Sequence, residues 1–355
     1  MMRPEWEKLD PGGMGQAIRT CHEQILAALD EPVWQPAAAR PFDKILYLGM
    51  GGSAIGGDMV RVWCERSAAV PMAVQRDYNI PGWVDERTLV LAASYSGNTE
   101  ETLSAAELAA ASGAQLAAIT SGGELARQAA AQGWQLLQIP DGFQPRAAIG
   151  YSLAAICRIL VAYEVLPQTL LGELGRAAKL MGSESARWST AGSANLALAT
   201  AELIADRQVI IYGTSGTTEA LALRMRSQLA ENGNLLAGHH LLPELNHNEI
   251  VGLNDRLASD DGLVVVWLAD TDDHPRVALR RQLTAELTGL RKVGETLPGP
   301  REVVLSGVGE SLLERNLTLL NLIDWSSYYT ALLRGQDPTA IDVLLALKDR
   351  LAPRP

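Results

Sequence analysis

A chain of 355 residues, 47% hydrophobic and 20% charged, carries more than one ordinary core and reads as a soluble globular protein of two domains. Its formal charge of −11 excludes broad nucleic-acid binding, which needs a basic surface to displace counterions, but leaves room for a small anion held by local donors. No apolar stretch approaches the roughly 20 residues of a membrane span, and the opening Met1-Met2-Arg3-Pro4-Glu5-Trp6 lacks the apolar core of a signal peptide, so the expected location is the cytoplasm.

An amphipathic helix is predicted over Ile18 to Leu29. Apolar runs then alternate with helical patterns, the mark of βαβ units in a parallel sheet. Strands are predicted at Ile45–Leu48, Met72–Gln75, Thr88–Ala93, Leu116–Ile119 and Leu136–Ile139. Helices are predicted between them at Ala54–Cys64, Thr99–Ala111 and Glu124–Ala131, with Gly113 and Gly133 as stops. The result is a five-stranded doubly wound sheet, whose ligands belong at the carboxyl ends of its strands.

Residues Ala147 to about Ala205 read as long helices broken near Pro167 and at Gly182. The pattern then restarts, because Arg207 to Gly216 echoes Lys44 to Gly52: a charged entry, an apolar strand, a glycine turn and an Ala-rich helix. Strands Leu263–Leu268 and Glu302–Leu305 continue the second unit, with a surface helix in Asp270–Arg291 and a turn at Leu297-Pro298-Gly299-Pro300. Final helices are predicted at Glu310–Leu333 and Thr339–Leu351. The fold class is therefore α/β, two doubly wound domains with mainly parallel sheets flanked by helices. The boundaries are 1–160 for the first domain, 161–205 for a helical connection and 206–355 for the second.

Cys21, Cys64 and Cys157 stand far apart with no CxxC pairing and read as reduced packing residues. His239-His240 is the closest approach of two histidines, but their side chains diverge and no further ligand stands at metal spacing, so a chemistry without metal or other cofactor is expected.

Two serine-rich turns, Gly51-Gly52-Ser53 and Ser94-Tyr95-Ser96-Gly97-Asn98-Thr99, each fall where a buried strand hands over to a helix. Unpartnered N–H groups and the positive end of the helix dipole make such a junction a seat for an anion. Asn98 and Glu101 also fit a variant capping box, though capping does not explain Ser94 and Ser96. The second unit has no partner for this segment, which assigns the phosphate seat to the first domain.

Five segments, GMGGSAIGGD (49–58), SYSGNTEET (94–102), PRAAIGYS (145–152), QLAENGN (228–234) and ELNHNEIVG (244–252), resemble the sugar isomerase (SIS) domain superfamily. Within it they resemble the bifunctional phosphoglucose/phosphomannose isomerase family, over nearly the whole chain. That resemblance implies a reversible aldose–ketose isomerase of glucose 6-phosphate and fructose 6-phosphate, with mannose 6-phosphate as a further substrate. A small sugar phosphate is then the expected partner, with no nucleic acid and no membrane.

By the same resemblance Gly52, Ser53, Ser94, Ser96 and Thr99 hold the phosphate. Glu231 is the base, His247 assists ring opening from a neighbouring subunit of a homodimer, and Arg146 faces the enediolate. Taken alone, Glu231 also fits an exposed helical glutamate at the negative end of a helix dipole. His247 lies in a turn between two asparagines, and Arg146 follows Pro145 at a helix start where the dipole does nothing for a cation. Lys348 matches loosely the family's lysine beside the sugar ring, and it equally fits a solvated helix end; Thr339 fits an N-cap. An amino-sugar phosphate isomerase on the same fold and a non-catalytic sugar-phosphate sensor are the alternatives. Residues 1–42 are too short and too weakly basic for the DNA-binding module that such a sensor carries.

Overall fold

A computed structural model describes residues 4–36, 40–65, 67–190, 194–259, 262–290 and 301–351. The chain opens with α1 (Pro4–Glu7), α2 (Met14–Arg19) and α3 (Cys21–Asp30). The predicted helix over Ile18 to Leu29 is thus two helices that meet at Thr20, whose φ of −99° and ψ of 11° interrupt the α conformation.

The first sheet alternates with helices: β1 (Lys44–Leu48), α4 (Gly51–Cys64), β2 (Met72–Gln75), β3 (Thr88–Ala93), α5 (Glu100–Ala111), β4 (Gln115–Thr120), α6 (Gly123–Gln132) and β5 (Gln135–Gln138). Among the described residues its strand order is β2-β1-β3-β4-β5 and every pairing is parallel. Helices cover both faces, so β3 and β4 are buried at every residue, which is why they read as unbroken apolar runs rather than alternating ones. Gly133 closes α6 at φ 71°, in the left-handed region as predicted.

Three helices follow: α7 (Ile149–Ala162), α8 (Thr169–Trp188) and α9 (Leu196–Ile204). The predicted break at Gly182 does not occur, because α8 runs through it; a Cβ there would lie 2.6 Å from the His22 ring, so the glycine serves close packing on α3. The second sheet is built from β6 (Gln208–Thr214), α10 (Glu219–Glu231), β7 (Ala237–Leu242), α11 (Glu249–Ser259), β8 (Leu263–Ala269), α12 (Pro275–Leu287) and β9 (Glu302–Ser306). Its order is β7-β6-β8-β9, again parallel throughout.

Strand β7 has no counterpart in the sequence reading, since Gly238-His239-His240 interrupts its apolar run. The surface helix predicted in Asp270–Arg291 starts only at Pro275, because Asp270–Asp273 forms a turn capped by its own carboxylates. The predicted turn at Leu297–Pro300 lies outside the described residues. Just beyond α10, Asn234 takes the left-handed conformation at φ 47°.

The chain ends in α13 (Leu312–Leu333) and α14 (Asp342–Leu351). From Leu313 to Leu332 only the Glu314 position of α13 escapes full burial, and the helix packs against α8, α9 and α10. Burying Trp325, Tyr328 and Tyr329 contributes about 1.5–3 kcal/mol each. The polar residues on this helix are tied down individually: Trp325 Nε1 donates to Ser185 Oγ at 2.9 Å and Tyr329 Oη to the Trp188 carbonyl at 2.6 Å. Helix α14 contrasts with it, having no buried residue.

Candidate active site at the first switch point

In the order β2-β1-β3, the chain leaves β1 toward one side of the sheet and β3 toward the other, opening a crevice between their carboxyl ends. Both serine turns sit there. Met50 is the N-cap of α4 and offers no side-chain acceptor to its first N–H groups, and Gly51 enters the turn at φ 49°. The first turn of α4 contains no acidic residue. Small residues and free helical amides are what an approaching anion requires.

The hydroxyls of the two turns are linked. The Tyr95 amide donates to Ser53 Oγ at 3.3 Å, Ser94 Oγ pairs with Thr99 Oγ1 at 2.8 Å, and the Asn98 amide donates to Ser96 Oγ at 3.3 Å. Ser53 and Ser94 are buried, Thr99 is half-buried and Ser96 is exposed. Asn98 does not cap its own helix, whose N-cap is Thr99. Its Oδ1 instead accepts the Glu124 amide at 3.0 Å, tying the turn to α6, and Glu101 therefore forms no capping box with it. Gly97, at φ 70°, lets the turn lie flat on the Gly122 carbonyl, where a Cβ would collide.

Arg146 lies in a short 3₁₀ turn, Pro145–Ala147, between β5 and α7, and it is 3% exposed. Its backbone packs on the Gly51–Ser53 turn so closely that a Cβ at Gly52 would lie 3.1 Å from the Arg146 Cα. From Arg146, Nε donates to Asn232 Oδ1 at 2.7 Å and Nη1 to Glu231 Oε2 at 3.3 Å. Nη2 donates to the carbonyls of Pro338 at 2.9 Å and Thr339 at 3.3 Å. Burial pushes this guanidinium below its ordinary value; the Glu231 carboxylate opposes that shift and Arg224 adds to it. An arginine starts high enough to stay charged at neutral pH.

Beneath this cluster, Arg224 and Asp324 form a buried bidentate pair, at 2.9 Å from Nε and 2.6 Å from Nη2, and Arg224 Nη2 also donates to the Arg146 carbonyl at 3.1 Å. Gln228 donates to the same carboxylate at 2.9 Å. Residues 224, 228 and 231 fall on one face of α10, so a single helix supplies the Glu231 carboxylate and the polar bed below it.

The structure therefore brings Gly52, Ser53, Ser94, Ser96, Thr99, Arg146 and Glu231 into one region. His247 and Lys348 are not brought to it by any hydrogen bond or ion pair among the described residues. His247 is exposed at the end of the turn Glu244–His247, after β7. Beside it Glu249 accepts from Tyr212 Oη at 2.9 Å and meets His240 Nδ1 at 2.5 Å, which pins the start of α11. Lys348 is exposed on α14. Thr339 does not cap α14, which starts three residues later; its amide donates to Asp337 Oδ1 at 2.7 Å and its carbonyl receives Arg146. Asn232 escaped the sequence reading as a site residue, although it follows Glu231 directly.

A crevice of helix amides and hydroxyls, with an arginine–glutamate pair on its wall and a second sheet of the same winding, defines the class: a double SIS-domain protein. The SIS domain model matches residues 40–133, and the model of the bacterial phospho-glucose isomerase C-terminal SIS domain matches residues 193–351. The bifunctional phosphoglucose/phosphomannose isomerase of Caldicellulosiruptor bescii is 38% identical over 343 residues, 96% of this chain and 99% of that protein. That of Aquifex aeolicus is 34% identical over 315 residues, 88% and 91% of the two chains. The chain belongs to the bifunctional phosphoglucose/phosphomannose isomerase family. Among solved structures, the C-terminal domain of glucosamine-fructose-6-phosphate aminotransferase from Francisella tularensis superposes with a TM-score of 0.70 at 16% identity, covering 92% of this chain and 97% of that one, a likeness of fold.

Proposed function

We propose that the chain interconverts glucose 6-phosphate and fructose 6-phosphate, and mannose 6-phosphate and fructose 6-phosphate, with the phosphate seated on Gly52, Ser53, Ser94, Ser96 and Thr99. As a member of its family the chain is an aldose–ketose isomerase. The observation that carries the residue assignment is the packing of Arg146, paired with Glu231, against the backbone of Gly52. That packing supports assigning the phosphate seat and the base to one site.

After ring opening, Glu231 takes the C2 proton from the aldose and returns it at C1, passing through a cis-enediolate. Of the five N–H donors of an arginine, four on Arg146 meet the acceptors named above, and the fifth, on Nη1 beside Glu231, remains for the charge that develops on O1 and O2. For mannose 6-phosphate the intermediate rotates about C2–C3 so that the same carboxylate serves the other epimer. No step calls for a metal or a nucleotide.

His247 moves a proton between O5 and O1 during ring opening, and it comes from the partner of a homodimer. Its exposure supports this, as do the apolar residues that α14 leaves in solvent, Val343 at 86% and Leu347 at 57%. Lys348, on that helix, belongs to the sugar-ring end of the same site. The division into 1–160, 161–205 and 206–355 puts the phosphate seat in the first part and the base in the last, in a cytoplasmic enzyme. Among the described residues no helix is long and apolar enough to cross a membrane.

A coupled assay with fructose 6-phosphate, detecting glucose 6-phosphate and mannose 6-phosphate separately, tests the substrate range. Both products are expected. Glucose 6-phosphate alone would remove the epimer tolerance, and neither product would remove the proposal.

A further inference from the structure

The guanidinium of Arg146 has to point one N–H at an oxygen that becomes charged only during the reaction, so its plane must be set before substrate arrives. Two of its anchors are backbone carbonyls, of Pro338 and Thr339, and one is Glu231, which itself reacts. The remaining anchor is Asn232. Its side chain is fully buried and used at both ends: Oδ1 accepts Arg146 Nε at 2.7 Å, and Nδ2 donates to Ser327 Oγ at 2.9 Å. Ser327 Oγ in turn donates to the Asp324 carbonyl at 2.8 Å. A buried amide with both ends committed cannot rotate without breaking a hydrogen bond, so it holds Nε, and with it the guanidinium plane, in one orientation.

We propose that Asn232 is a positioning residue for the isomerisation: its amide, clamped to α13 through Ser327, fixes the angle at which Arg146 meets the enediolate beside Glu231. This rests on the role given to Arg146 above. Asn232 sits at the end of the helix that supplies the base, so one helix terminus sets both the proton acceptor and the cation opposite it.

Steady-state kinetics on the full-length protein with fructose 6-phosphate test it. Asn232→Leu, which removes the acceptor for Nε, is expected to lower kcat on the order of a hundredfold, the cost of a misaligned group, with little change in KM. Asn232→Asp keeps an oxygen facing Nε and should recover most of that loss. Ser185→Ala breaks a buried hydrogen bond of a similar kind, from Trp325 Nε1, that does not involve Arg146; it should lower the melting temperature while leaving kcat near the wild-type value.

Should Asn232→Leu fail to fold, Asn232→Ala is read in its place and should show the same split. Equal losses of kcat in Asn232→Leu and Ser185→Ala, or a loss confined to KM, would overturn the proposal. Arg146→Lys separates the two levels. If it retains full kcat, the role of Arg146 fails and this inference with it; if it loses kcat while Asn232→Leu does not, the inference alone fails.

Discussion

The two sheets are wound alike, each with a crevice at its switch point, yet the crevices are chemically opposed. In the first, the loops after β1 and β3 present glycine, serine and threonine to uncapped helix amides. In the second, the matching loops after β6 and β8 fill the space with the chain's own groups. Thr218 Oγ1 accepts the Thr214 amide at 2.9 Å and donates to the Leu268 carbonyl at 3.0 Å. Glu219 accepts the Gly216 amide at 3.0 Å, and Thr217 Oγ1 donates to Asp273 at 2.6 Å.

Where the first sheet has Ser94 to Thr99, the second has Asp270-Thr271-Asp272-Asp273, with Arg315 paired to Asp270 and Asp272. An anion at that site would meet carboxylates instead of free donors. The switch point alone does not make a phosphate site; the side chains in the loops decide whether the helix N-terminus is open or already satisfied.

Importing the second chemistry into the first crevice gives the largest expected effect. Ser53→Asp puts a buried carboxylate in the proposed phosphate seat, and turnover of fructose 6-phosphate should disappear at any attainable substrate concentration; a saturable rate would break the comparison. Glu231→Gln separates the seat from the base. Turnover should fall by roughly 10²–10⁴ while calorimetry still finds sugar-phosphate binding near wild-type strength, and a mild kinetic loss would remove Glu231 from the base role.

Ser96→Ala removes the hydrogen bond proposed to the phosphate, about 1.5–3 kcal/mol for a charged partner, and should raise KM by roughly ten- to hundredfold with kcat little altered. Asp273→Asn, in the second crevice, should leave KM untouched. Burial raises Asp273 above the ordinary carboxylate value, with Thr217 opposing the shift. The folded state therefore holds that proton more tightly than the unfolded one, and the ionised carboxylate weakens the fold at neutral pH. That penalty is lifted as pH falls through the raised pKa toward 3.8, so the wild type should gain stability relative to Asp273→Asn on acidification. Melting curves from pH 7 down to about pH 3.8, the unfolded-state value, check the sign.

Much of the first crevice was legible in the sequence because buried parallel strands read as apolar runs and the glycine–serine turns stand at their ends. Gly133 stops its helix and Glu231 ends α10 as the pattern required. What stayed hidden depended on contacts distant in sequence. Asn98 looks like a cap for its own helix, yet it caps α6, which only the folded loop pair brings near. Gly182 looks like a helix break, yet it accommodates His22 from α3. The hydrophobic pattern missed β7 because two histidines interrupt it. Asn232 is an ordinary loop residue until Arg146 arrives from 86 residues earlier in the chain.

The most direct measurement is a crystal structure of the Glu231→Gln variant with fructose 6-phosphate. The expected result places the phosphate oxygens on Ser53, Ser94, Ser96 and Thr99, with C1 and C2 within reach of both residue 231 and Arg146 and no sugar phosphate in the second crevice. Phosphate bound among Thr214 to Glu219, or C1 and C2 lying out of reach of Arg146, would contradict both the asymmetry of the two crevices and the assignment of the chemistry to the first.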